Sequence, residues 1–430
     1  MTQSLVKLEK FLNYLLVFLL PTQLALHFWP QFSFVFGIRI DYLSPTIYLT
    51  DVLFLLVFSL WAKKSYKQIL LFVNKHKRYI YLFFALALFN SVFSTSLFPS
   101  IIKWIKLLEL IIFGYYVCER RDIFNIRRIL AVLYYSLIFF SVIGISQFVL
   151  GKTLGGPMYV LGERSFDIST PGIALVEIVG RNFMRAYSTF SHPNSFSGYL
   201  GVGLILLILN YSPKELSKKI IGLLIILTAF VLAFSLSAFL GISFCILILL
   251  TRRKTLINTK AVLIIPLIFL IVSLMLPFMS KIVLSDKIKL PQNISQRLEL
   301  SVGAGEIISQ KFLNGAGLNT FVIKASTIEN NNYYLWLLQP VHNIYLLIFS
   351  ETGVFGLIVA YYLLITVLNR SFLFNKPVFL SVIFILVTGL FDHYWFTLQQ
   401  NMFLLAFIFG ISLREKGVST HPRIKNSWYP

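Results

Sequence analysis

The sequence predicts an all-α polytopic membrane protein with about twelve transmembrane helices, and three observations predict it. The 430 residues are 57% hydrophobic and only 13% charged, whereas soluble domains carry roughly 45–50% apolar and about 25% charged residues. Apolar runs close to the length of a bilayer span, about 20 residues, recur along the whole chain. The charge is also lopsided, with 38 Lys and Arg against 17 Asp and Glu for a formal net charge of +21. Such a composition excludes a disordered chain. A soluble nucleic-acid binder would need its cations on one soluble face, and here they fall between the apolar runs.

Taken in order, the runs are 11–30, 45–62, 79–96, 100–117, 129–150, 193–211, 219–235, 237–251, 261–279, 342–368, 377–391 and 397–413. The first follows Lys7 and Lys10 but lacks a small-x-small cleavage site, so it reads as a helix rather than a signal peptide. The stretch 219–251 is short for two crossings, yet both its flanks are basic. A tight pair turning near Ser235 and Ser237 keeps the charge pattern, with Ala238 and Gly241 allowing close packing. Alternate connections hold 25 of the 38 cations, among them Lys63, Lys64, Arg120, Arg121, Lys214, Arg252, Arg370 and Arg414. The positive-inside rule makes these connections and both termini cytoplasmic. Of the outward connections, 151–192 and 280–341 are long, and loops of that length are usually functional. They contain aromatics and Gly and are expected to form ordered caps on a single membrane domain spanning 1–430. Cys118 and Cys245 fall in different spans, so no disulfide is expected, and no HExxH, Walker or GxGxxG pattern occurs.

Three motifs could carry chemistry. The first, Arg185 to Tyr199, ends one long loop and opens a helix at His192-Pro193-Asn194. Pro suits a first helical turn, and a helix N-terminus favours an anion; a plain helix-entry turn is the simpler alternative. In the second, Arg297 precedes Asn314-Gly315-Ala316-Gly317-Leu318-Asn319-Thr320-Phe321. Arginine grips phosphate oxygens in a planar fork, although pairing with Glu299 or Glu306 would equally explain it. The third is His342-Asn343, with Glu351, Gly353 and Gly356 following in the same run. His342 stands at the outer mouth of a helix and is the residue type most often used as a general base. Glu351 lies nine residues deeper, about 13.5 Å along the axis, where an ionisable side chain marks a functional candidate; the glycines would present a flat face to a neighbouring helix. Two weaker clusters are Lys103, Lys106 and Glu109, spaced i, i+3, i+6, and Asp392-His393-Tyr394-Trp395 at an outer turn, where an aromatic belt is expected anyway.

Together, Thr189-Phe190-Ser191-His192-Pro193-Asn194, the Gly315–Phe321 stretch and His342-Asn343 with Gly353 and Gly356 resemble the O-antigen ligase and polymerase superfamily. In motif detail the resemblance covers roughly 180–360. The twelve-span layout, with an ordered extracytoplasmic loop between helices nine and ten, is similar across the chain. Ser237 departs from it, being followed by Ala238 where many relatives carry Arg. The resemblance implies a C-type glycosyltransferase of the plasma (inner) membrane with its active site extracytoplasmic, inverting, and needing neither metal, nucleotide sugar nor other cofactor. Its donor would be a polyprenyl-diphosphate-linked glycan and its acceptor a lipid, glycan or protein; membrane lipids are partners and nucleic acid is not. By the same resemblance Arg185 and Arg297 match the arginines that hold the diphosphate, and His342 matches the histidine that activates the acceptor hydroxyl. His192, Asn194, Asn343, Glu351, Gly353, Lys103 and Lys106 support them. A polymerase of lipid-linked repeat units remains open, because it uses the same donor. A transporter or flippase fits less well, since the halves show no repeat and the polar groups gather at the outer mouth rather than the midplane.

Overall fold

The computed structural model describes residues 3–251, 259–285, 290–328 and 338–414. Helix α1 (Gln3–Phe18) stops short of Pro21, whose ring bars the preceding residue from helical backbone. The expected span 11–30 therefore divides, and its second half joins a cap of short ribbons. Four short strands follow, β1 (Ala25–His27), β2 (Phe34–Val35), β3 (Ile38–Arg39) and β4 (Thr46–Tyr48); β1 pairs with β4 and β2 with β3, both antiparallel.

The expected spans 45–62 and 79–96 belong to one long helix, α2 (Leu49–Val92), broken at Ser65. Its contacts along α3 (Leu97–Glu119) run one way and then the other. Asp51 meets Lys106, Phe54 meets Phe113 and Trp61 meets Tyr116; then Phe72 meets Tyr115, Phe83 meets Trp104, and Asn90 accepts the Trp104 indole N–H. The two limbs are thus antiparallel, with Lys63, Lys64 and Lys67 around the bend. Helix α4 (Ile126–Leu150) is capped by Asn125 Oδ1 on Arg127 N–H and ends at Gly151 with φ +66°, the left-handed stop that glycine allows. Within 151–192 lies the hairpin of β5 (Leu175–Ile178) and β6 (Arg181–Met184).

Helix α5 (Pro193–Asn210) and the short α6 (Pro213–Lys218) lead to α7 (Ile220–Leu232) and α8 (Leu236–Leu250), the tight pair expected at 219–251. Arg252, Arg253 and Lys254 lie outside the described residues. Helix α9 (Thr259–Ser285) is followed by α10 (Gln292–Gln310), which packs back on it, and by α11 (Phe321–Ala325). Much of the expected loop 280–341 is therefore helical; 286–289 and 329–337 lie outside the described residues. Helices α12 (Ile344–Phe374), α13 (Lys376–Gly389), α14 (Tyr394–Thr397) and α15 (Gln399–Ser412) complete the described chain, and the tail from 415 lies beyond it.

Among the described residues, four helices are long and apolar enough to cross a membrane: α4, α5, α9 from Ile264, and α12. Four shorter ones are also apolar, α7, α8, α13 and α15. The expected count of twelve is not reached by that measure, partly because α3 carries Lys103, Lys106 and Glu109 within its length. One large core runs through the bundle, with α15 packed on α3, α7 on α4, and α13 on α5 and α8. A second core joins the N-terminal ribbons (Val35, Ile40, Leu43) to α10, α11 and the start of α12 (Ala304, Phe321, Leu346). This cap sits at the end of the bundle where α5 and α12 begin; Lys214, Lys218 and Arg370 mark the opposite end of the same helices.

Candidate functional site

One cavity of about 490 Å³ opens at the capped end of the bundle, and His342, Arg297, His192, Lys103 and Lys106 all line it. Their positions follow from local chain rules. His192 caps α5: its Nδ1 accepts the Asn194 N–H at 3.1 Å, and Pro193 occupies the first turn, where a missing N–H costs nothing. His342 precedes the cap of α12. That cap is Asn343, whose Oδ1 accepts the N–H groups of Tyr345 and Leu346 at 3.0 Å while its amide nitrogen donates to Ser273 Oγ and the Leu390 carbonyl. Asn343 is therefore an anchor tying α12 to α9 and α13, and His342 is held at a rigid helix start.

Facing His342 is a pair assigned above only to an aromatic belt, Asp392-His393. Asp392 Oδ1 lies 3.6 Å from His342 Nδ1, an electrostatic contact beyond hydrogen-bond length. The His342 and His393 rings stack at 5.1 Å. Asp392 Oδ2 accepts from the Asn194 amide at 2.9 Å. Burial alone would push the Asp392 carboxyl up, but His342, His393 and His192 around it hold it well below the usual carboxylate range. Burial pulls His192 down to about 4 and His393 to about 3, against the opposing pull of Asp392. The cluster is thus an ionised carboxylate beside two neutral imidazoles. Spacing gave no sign of it, because His192, His342 and the Asp392-His393 pair come from three separate helix ends; a carboxylate and imidazoles next to helix termini was the available signal. Among the described residues, His342, Asp392 and His393 also bring ligand-capable atoms within 4.8 Å of one another, a donor set able to hold a divalent cation.

The cations divide. Arg297, on α10, donates one N–H to the Phe391 carbonyl at 3.1 Å and leaves the rest of its fork to the cavity. It pairs with neither Glu299 nor Glu306; Glu299 accepts from Ser295 instead. Arg185 lies behind the wall. Its Nε donates to the Ala233 carbonyl at 2.7 Å and its Nη2 to Asn194 Oδ1 at 2.6 Å, so it reaches the cavity through Asn194 and Asp392. Burial draws Arg185 down to about 10, with Asp392 among its electrostatic neighbours. Lys106 is paired with Asp51 at 2.6 Å and Glu109 at 2.8 Å, whereas Lys103 Nζ has Met402 Sδ at 3.4 Å.

Glu351 and Gly353 stand apart from the cavity and organise the chain beside it. Gly353 breaks α12 with φ +65° and ψ −171°, a conformation essentially confined to glycine. The glycine loop fills the break. Ala316 N–H donates to the Ser350 carbonyl, Gly317 N–H to that of Glu351, and Val354 N–H to that of Phe312. The Glu351 carboxylate accepts the N–H groups of Asn319 (2.9 Å) and Phe321 (3.1 Å), and Asn90 donates to the carbonyls of Asn314 and Glu351. A helix-to-helix contact through Gly353 and Gly356 is thus replaced by backbone meeting backbone, because a Cβ on Gly353 would overlap Leu313 and one on Gly315 would overlap Glu351. Asn319, held by this lock, lines the cavity.

No curated protein and no solved structure matches the chain. Residues 221–361 match the family model described as O-antigen ligase. That stretch contains Arg297, the glycine loop and the His342–Asn343 helix start, so this part of the chain is similar to the O-antigen ligase superfamily.

Proposed function

We propose that this membrane protein is a glycosyltransferase of ligase type, moving a glycan from a polyprenyl diphosphate to an acceptor hydroxyl on the outer face of the plasma membrane. The observation that carries the reading is the meeting of His342, Asp392 and Arg297 on one cavity, in a chain whose matched region is that of O-antigen ligases.

The chemistry follows from the positions. His342 Nδ1 faces Asp392, which leaves Nε2 to take the acceptor proton. The freed oxygen attacks the anomeric carbon in line, forming the new C–O bond as the bond to the diphosphate breaks. The configuration inverts and polyprenyl diphosphate leaves with the electron pair. The ionised Asp392 faces the positive charge that the ring acquires. Arg297 and Lys103 meet the charge developing on the leaving group, with Arg185 behind them fixing Asn194 and Asp392. Phosphate–sugar cleavage supplies the driving force, so no nucleotide enters the scheme. The basic residues at the far bundle end support cytoplasmic termini and an outward site.

The test uses purified protein, the lipid-linked glycan of the host, and product analysis. His342→Ala and Arg297→Ala should abolish transfer while expression persists, and Arg297→Lys should impair it, because a point charge cannot replace the fork. Normal transfer in both alanine variants would sink the proposal. Glycan arriving on a second lipid-linked chain would make the enzyme a polymerase.

A further inference from the structure

The cavity has a second arm that this chemistry does not use. Gln23, His27, Asp41, Ser44, Thr46 and Arg164 line it, and they come from the N-terminal ribbons and the 151–192 loop, both outside the matched region. The two arms are distinct electrostatic neighbourhoods. His192 feels Asp392, Arg185, His342 and Arg297, whereas His27 feels Asp41, Arg164 and Arg39. Tyr42 feels Asp392, Asp41 and Arg164 and packs edge-on against His393 at 5.6 Å, so it marks the boundary and shows that the arms adjoin.

Their chemistry differs. The inner arm is cationic and suits a diphosphate. In the outer arm Asp41 and Arg164, about half exposed and 3.7 Å apart, offset each other. Burial pulls His27 down, so it stays neutral near pH 7 and offers one donor and one acceptor. The side-chain oxygen of Gln23 is buried without a hydrogen-bond donor. A carboxylate, a guanidinium, an imidazole, an amide and two hydroxyls without net charge are what a polyhydroxylated neutral ligand would pair with, and an orphan buried acceptor calls for such a donor.

We propose that this outer arm is a glycan subsite, binding the sugars of the donor that follow the one joined to the diphosphate, and that it selects which glycan is transferred. The proposal rests on the transferase reading for its donor. A glycan whose first sugar sits between His342 and Arg297 would extend past Tyr42 into this arm.

The test compares the full chain with its Asp41→Ala, Arg164→Ala and Gln23→Ala variants. Asp41 and Arg164 are about half exposed, so folding should survive their loss. Two donors are used: the polyprenyl-diphosphate glycan extracted from host membranes and polyprenyl-diphosphate N-acetylglucosamine. Each variant should raise KM for the full donor about tenfold relative to KM for the single-sugar donor. The oligosaccharide released from the extracted donor by mild acid should give saturation-transfer NMR signals with the wild type and with His342→Ala, and lose them in the outer-arm variants. An unaltered KM ratio, a KM rise confined to the acceptor, or retained oligosaccharide binding would each overturn the subsite. Oligosaccharide binding lost in the variants, with no transfer by the wild type, would keep the subsite and overturn the transferase reading.

Discussion

Replacing Gly353 by Ala asks whether the interlock between α12 and the glycine loop matters as the geometry implies. The cost has two parts. A Cβ at φ +65° and ψ −171° carries about 1–3 kcal/mol of backbone strain. That Cβ would also sit 2.7 Å from Asn314 N and closer still to the Leu313 carbonyl, so the loop must withdraw. Withdrawal breaks three backbone bonds, those to the Ser350, Glu351 and Phe312 carbonyls, at about 1 kcal/mol each. The total is about 4–6 kcal/mol. Gly151→Ala is the control, since Gly151 has a similar φ of +66° at the end of α4 but nothing within 4 Å of its Cβ; it should cost only about 1–2 kcal/mol. Denaturant unfolding of the purified protein in detergent measures both. Equal shifts for the two variants would refute the interlock. Because Asn319 lines the cavity, Gly353→Ala should also lose transfer.

Acidification should destabilise the fold between about pH 6.5 and 4. Unfolded histidine titrates near 6.5, while His192 and His393 stay neutral in the fold down to about 4 and about 3; the unfolded chain therefore binds more protons across that window, and each histidine contributes a slope of about 1 kcal/mol per pH unit. The ionised Asp392 adds a loss of the same sign at still lower pH. Thermal unfolding against pH should show a falling midpoint that flattens in His393→Gln; a midpoint independent of pH would count against it. Asp392→Asn keeps the shape that holds Asn194 but removes the charge facing His342, so kcat should fall by about a hundredfold or more with little change in unfolding midpoint; a midpoint collapse would instead make Asp392 a packing residue. Treatment with EDTA should leave transfer intact. Loss of activity restored by zinc would show that His342, Asp392 and His393 hold a metal.

The helical membrane class was legible from composition and run length, and so were the tight pair of α7 and α8 and the helix starts at His192-Pro193 and His342-Asn343, because caps and apolar runs are local signals. The cavity was legible only in part. His342 and His192 stood out as titratable groups at expected helix starts, and Arg297 as a cation in an expected long loop. Asp392 and His393 were masked by Tyr394 and Trp395, which made an interfacial belt the simpler account. Glu351 was visible as a buried charge, but its partners are the N–H groups of Asn319 and Phe321, and backbone pairing across distant loops leaves no trace in residue spacing. Arg185 shows the same limit, since its residue type points to phosphate while its place behind Asn194 depends on tertiary packing.

The broken helix also bears on how the chain is made. Within lipid every backbone polar group needs a partner, and at the Gly353 break the carbonyls of Ser350 and Glu351 take theirs from Ala316 and Gly317. That loop precedes α12 in the chain, so during synthesis it emerges before the interrupted helix whose carbonyls it serves. Asn90, synthesised earlier still, donates to both the loop and the helix. Every partner of the broken turn is thus synthesised before α12 itself, so none of the bonds that the Gly353 break requires waits on chain still to be made.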